Sequence, residues 1–206
     1  MNGSDLAAEL RDDHETAFSR LGSSKAMYAL TGGEMDGEHV RWAAANDALA
    51  LAETLDSWVG EAESETPRSG LFADLADAAR EHAADVVDDP ALDEAPRLYD
   101  VLATLESTPA RLGGLLGRYL VALEHAGQMV GFFVGDADPM AADAFRDRRS
   151  DLESERDRVA DALEDACASE ADWEAAREAA DAVIEAAYED YVETLESMGI
   201  KPKNVC

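Results

Sequence analysis

Residues Thr108 to Val134, TPARLGGLLGRYLVALEHAGQMVGFFV, decide the fold. Thr108 followed by Pro109 is a helix start, an N-cap residue before a proline whose missing N–H costs nothing at the first helical position. From there Leu112, Leu115, Leu116, Tyr119, Leu120, Leu123, Met129, Val130, Phe132 and Phe133 leave little polar surface. A helix apolar on most sides belongs in the centre of a helical protein. Gly113 and Gly117 fall on one face of it, where a neighbouring backbone can come close.

The same period continues outward in both directions, and no alternating β-branched run of strand type interrupts it. After Val134, the turn Gly135-Asp136-Ala137-Asp138-Pro139 opens a long charged helix to about Cys167, with Phe145, Leu152, Val159 and Leu163 inward. Ser169, with Asp172 three residues on, resembles a capping box. It starts a last helix that carries Trp173, Ala176, Ala180, Ile184, Tyr191 and Leu195 on one face and stops at Gly199 and Pro202. Before Thr108 the period predicts a short helix around Leu98 to Leu105 and one from about Leu71 to Val87. It predicts another from about Gly37 to Val59, and a first from about Asp5 to Ala29 with a weak point at Gly22-Ser23-Ser24. The Glu- and Ser-rich segment Gly60 to Gly70, with Pro67 inside it, reads as a linker. The expectation is an all-α, up-and-down bundle of six or seven helices, one domain over residues 1–206.

Charge narrows the setting. Asp and Glu number 46 against 17 Lys and Arg, a net charge of −29, and only Lys25, Lys201 and Lys203 are lysines. High charge with few aromatics can mark disorder, but a hydrophobic fraction of 47% in regular helical spacing does not. Binding to nucleic acid or to an anionic membrane needs clustered Lys and Arg, so neither is expected. Acidity spread along the whole chain, with arginine in place of lysine, suits molar salt, where the screening length falls to about 3 Å. It has the style of salt-in halophilic archaea. No apolar run is long enough for a membrane span. The opening MNGSDLAAELRDD lacks a basic and an apolar region, so no secretory signal is expected. Cys167 and Cys206 form no metal spacing and read as free thiols of a reducing cytoplasm.

The side chains from which a metal site would be built are His14, His39, His82 and His125 with Glu15, Glu53, Glu81 and Glu124. His14 and His82 lie on apolar stripes, where an imidazole needs a partner. In an ordinary core that is a carboxylate or carbonyl; in a functional one it is a metal or haem. A di-iron centre in a helical bundle takes a Glu from each of two helices and Glu-x-x-His from each of two others. The residues three before the four histidines are Arg11, Asp36, Ala79 and Ala122, so that pattern is absent, and Asp36 reads as a helix cap. His14, His82, His125, Glu15 and Glu81 remain as candidate ligands, against a default in which glutamates face solvent. The run Arg146-Asp147-Arg148-Arg149 is the one basic cluster. It offers a grip for phosphate or, on a helix, i, i+4 partners for neighbouring acids. The basic tail Lys201 to Cys206 reads as a docking tail or a frayed end. No Gly-rich phosphate loop, triad spacing or zinc motif appears.

The stretch Leu21-Gly22-Ser23-Ser24-Lys25-Ala26-Met27-Tyr28, the turn Gly32-Gly33-Glu34 and the helix Ala43 to Trp58 resemble rubrerythrin-type, ferritin-like proteins of halophilic archaea. So does Phe72-Ala73-Asp74-Leu75-Ala76 through Glu81-His82-Ala83. The resemblance implies a ferritin-like fold and non-haem iron. Where such proteins would show the Glu of Glu-x-x-His, this chain has Ala79, and Asn46 and Leu49 hold that spacing one helix earlier. The implied metal site is therefore lost or rebuilt, and no ligand carries over.

These readings converge on a non-catalytic binding or regulatory protein of a halophilic cytoplasm, with no cofactor expected. A protein partner and a homo-oligomer are both compatible with it. The alternative is a divergent ferritin-like metalloprotein or oxidoreductase. A third reading is an accessory chaperone for a redox enzyme, since such chaperones are also acidic, all-helical and of similar length.

Overall fold

The computed structural model describes residues 1–60 and 67–202, with side chains from residue 70 onward in the second stretch. Those residues form nine α-helices and no strand, packed as a bundle: α1 Gly3–Asp13, α2 Glu15–Leu21, α3 Ser24–Leu30, α4 Gly37–Gly60, α5 Pro67–Val86, α6 Leu98–Ala103, α7 Thr108–Gly135, α8 Pro139–Ala166 and α9 Glu170–Ser197. The count exceeds the six or seven expected because the first predicted helix is three. The chain breaks at His14 and again at Gly22-Ser23, while Leu6, Leu10, Phe18 and Leu21 all stay buried. Of the expected linker, residues 61–66 lie outside the described residues, and Pro67 to Gly70 already belong to α5. Residues 203–206, the end of the basic tail and Cys206 among them, also lie outside. The cap of α7 is Ser107, one residue earlier than the sequence indicated; its Oγ accepts from the Ala110 N–H at 3.3 Å. Ser169 and Asp172 do form a capping box at the start of α9.

α7 is buried without interruption from Leu112 to Leu123. The two glycines explain how α9 comes so near. A methyl at Gly113 would run into the Ala176 carbonyl, and one at Gly117 would stand 2.8 Å from the Ala180 oxygen. Both pairings ascend together, 113 with 176 and 117 with 180, so α9 runs parallel to α7. α8 returns antiparallel to α7 after the turn at 136–138, with Phe133 and Phe145 stacked 5.0 Å apart. α8 and α9 thus pack along α7 and hardly touch one another.

Above this layer lies the antiparallel hairpin of α4 and α5, closed by the edge of Trp58 on Phe72 at 5.3 Å and by the ion pair of Arg80 with Asp56. Arg111 over Trp58, Arg118 with Asp47, and Arg41 over Phe133 set α4 antiparallel along α7. His82 with Glu155 and Asp74 with Arg158 set α5 on α8. α1 packs against α8 through Gly3 at the Ala160 backbone, and Arg177 of α9 holds Glu9 and Asp13 of the same helix. No helix among the described residues is long and apolar enough to cross a membrane.

Candidate functional site: an interhelical cavity with buried donors

The candidate metal ligands do not converge. His14 sits at the break between α1 and α2 and donates from Nε2 to Asp181 of α9 at 2.8 Å. His82 of α5 reaches Glu155 of α8 at 3.3 Å. Each histidine on an apolar stripe has therefore found a carboxylate. His39 caps back onto Asp36, whose Oδ1 also accepts the His39 backbone N–H at 3.0 Å. Glu15, Glu53 and Glu81 are exposed, and Glu124 pairs with Arg11 at 2.8 Å. Among the described residues, no group of three or more His, Cys, Asp or Glu is placed to hold a metal ion. The donor set that a di-iron centre requires is not gathered in one place, and the residues present do not fit that group.

His125 is different. It lines a cavity of about 640 Å³ whose floor is α7 at Ala122, His125 and Ala126. α8 contributes Phe145, Arg148 and Leu152 to one wall; α9 contributes Asp190 and Tyr191 to another; α4 covers it with Ala43, Ala44 and Asp47. α3, Leu21 and the stretch from Glu94 to Asp100 add to the lining. The alanines make the space, because a methyl at each inward position keeps the helices regular without filling the gap between them.

A polar cluster adjoins this space and reaches it through Asp47 and Arg148. Arg118 of α7 is 1% exposed. Its Nε donates to the Tyr99 hydroxyl at 3.1 Å and its Nη2 to Asp47. The Tyr99 hydroxyl in turn gives its single proton to Asp47, whose Oδ1 and carbonyl oxygen lie 2.7 and 2.8 Å away. Burial works against the Arg118 charge, but Asp47 more than offsets it and holds the guanidinium firmly protonated. Burial raises the Tyr99 phenol well above its ordinary range. On α8, burial disfavours the charge of Arg148, whose nearest carboxylate, Glu155, lies 3.8 Å away, within ion-pair reach but beyond a hydrogen bond. Burial would push Glu155 up; the hydrogen bond from His82 and the Arg148 charge hold it below its usual value instead. His125 is pushed down by burial, which favours the neutral ring.

Several donors remain unused. Among the described residues, the buried Nη1 of Arg118, Nη1 of Arg148 and the hydroxyls of Tyr119 and Tyr191 have no hydrogen-bond partner. An unpaired buried polar group costs about 1–3 kcal/mol, and two of these residues, Arg148 and Tyr191, line the cavity from facing helices, where an acceptor oxygen would satisfy both. Chemistry has less to work with: the buried Cys167 thiol is pushed up by burial and sits at the far end of α8, away from this lining. The sequence had pointed to the histidines and had offered the run Arg146 to Arg149 as a grip for phosphate or as i, i+4 partners of neighbouring acids, without singling out Arg148. Its neighbours do pair with nearby acids, Arg146 with Asp143 and Arg149 with Glu153. The signal that was available is Arg118, the one charge in the stretch Leu112 to Leu123. No family model, curated protein or solved structure matches the chain, so the likeness to rubrerythrin-type proteins rests on the residues quoted for it.

Proposed function

We propose that this chain is a binding protein of a halophilic cytoplasm, a non-catalytic bundle that takes up a small molecule between α4 and the layer of α7, α8 and α9. The observation that carries this reading is the cavity of about 640 Å³ with the buried, unpartnered Tyr191 hydroxyl on its wall. Pockets for small ligands run from about 300 to 1,000 Å³, apolar for the most part and with a few convergent polar groups. Binding here would satisfy groups that the fold leaves unpaired, and so would also stabilise the bundle.

The test is ligand-observed NMR of a fragment set in molar KCl with the natural chain and with Ala126→Trp, which fills the floor. Binders of the natural chain that the variant no longer holds are the expected result. A set with no binders, or binders indifferent to the substitution, overturns the reading. Elemental analysis of the same preparation is expected to find metal at trace level; near-stoichiometric iron, manganese or zinc that disappears in His82→Ala would restore the ferritin-like metalloprotein instead.

A further inference from the structure

We propose that the ligand is a small organic acid, one carboxylate on an apolar body, with its oxygens held by Arg148 and Tyr191. The inference rests on the reading of the cavity as a binding site and goes further by assigning the chemical class. Two of the buried side-chain groups that lack a hydrogen-bond partner among the described residues, Nη1 of Arg148 and the Tyr191 hydroxyl, belong to residues that line this cavity, one on α8 and one on α9. One is a guanidinium N–H, which can only donate, and the other a phenol, which donates most strongly to an anion. A guanidinium also presents the planar, forked geometry that matches a carboxylate.

The charges limit the ligand to a single negative one. Asp47 already receives Arg118 and Tyr99, so that arginine is neutralised by a close, hydrogen-bonded partner. Glu155 takes the His82 N–H and stays 3.8 Å from Arg148. Arg148 is thus the lining cation with hydrogen-bonding capacity to spare. Asp190, half-buried on the opposite wall, makes a second negative charge unfavourable. Arg97, at the mouth, is already engaged by Glu193. Asn46, Glu94, Asp100, His125 and Thr194 make part of the lining polar, and the two further acids add to the bar against a second negative charge. Ala44, Ala122, Ala126, Phe145 and Leu152 form an apolar part that suits a hydrocarbon or aromatic body. An ion pair inside the cavity is screened by salt far less than one on the surface, so it survives in the molar KCl this acidic chain is built for.

The discriminating probes share one body: 3-phenylpropionate, 3-phenylpropan-1-ol and 3-phenylpropylamine, titrated by calorimetry in molar KCl against the natural chain, Tyr191→Phe, Arg148→Gln and Ala126→Trp. The carboxylate is expected to bind about tenfold or more tighter than the alcohol, the ratio a charge-assisted hydrogen bond supplies. Arg148→Gln is expected to erase that preference. Tyr191→Phe removes a hydroxyl that bonds nothing in the protein, so it should keep the unfolding midpoint while weakening the carboxylate severalfold; it tests the assignment even if Arg148→Gln fails to fold. A preference for the alcohol or the amine that Ala126→Trp abolishes overturns the organic-acid assignment and leaves the cavity a binding site, as does an unchanged carboxylate affinity in Tyr191→Phe. Failure of all three probes to bind the natural chain overturns both.

Discussion

Arg118 shows how one side chain ties two layers together. It is a cation buried in the least polar helix, and its one carboxylate partner among the described residues comes from α4 across the layer boundary. A buried pair contributes little over a well-packed apolar pair, but breaking it strands the surviving charge. Arg118→Met is therefore expected to destabilise the fold by on the order of 3 kcal/mol. The double variant Arg118→Met with Asp47→Leu should recover most of that loss. Urea unfolding of the four proteins in molar KCl, read as a double-mutant cycle, measures the coupling. Losses that simply add would mean that the ion pair does not couple α4 to α7.

Glycines within a single element separate packing from propensity. Gly113 and Gly131 both lie inside α7, but a methyl at Gly113 meets the α9 backbone and one at Gly131 meets nothing. Gly113→Ala must push α9 outward and should cost about 1–3 kcal/mol. Gly131→Ala, in an exposed turn of the same helix, should stabilise by about 0.5–1 kcal/mol. Thermal unfolding of the two variants moving in the same direction would refute this account of the close approach. Elements of this kind were legible in the sequence, because Pro109, Pro139, Ser169 with Asp172, and Gly199 punctuate long amphipathic runs. The breaks in the first helix were not. Leu6, Leu10, Phe18 and Leu21 keep a helical spacing across His14, and the partner that His14 meets at the break, Asp181, is far away in sequence. The cavity was illegible for the same reason. Its alanines look like ordinary helix formers, and Arg148 turns inward from a run whose other arginines face solvent. Which arginine a run buries is decided by the helix packed against it.

At the scale of the whole molecule, −29 charges cover a bundle whose outer helices are held together by arginine pairs such as Arg177 with Asp13 and Arg158 with Asp74. Each exposed pair contributes at most about 1 kcal/mol and weakens with salt, whereas the self-repulsion of the surplus acids is relieved by salt. Repulsion wins by number, so the unfolding midpoint should rise from about 0.1 M to about 2 M KCl as screening tightens. A midpoint that falls over that range would show that the ion pairs dominate and that the composition has another origin. The central position of α7 also has a consequence for how the protein is made. Synthesis proceeds from the N-terminus, so α1 to α6 leave the ribosome before the helix they are meant to cover exists. Leu6 and Leu10 of α1, which packs on α8, must wait for their cover until α7 and α8 have been added. A nascent half in which acids far outnumber bases is one whose copies repel, and so can wait without sticking to the next.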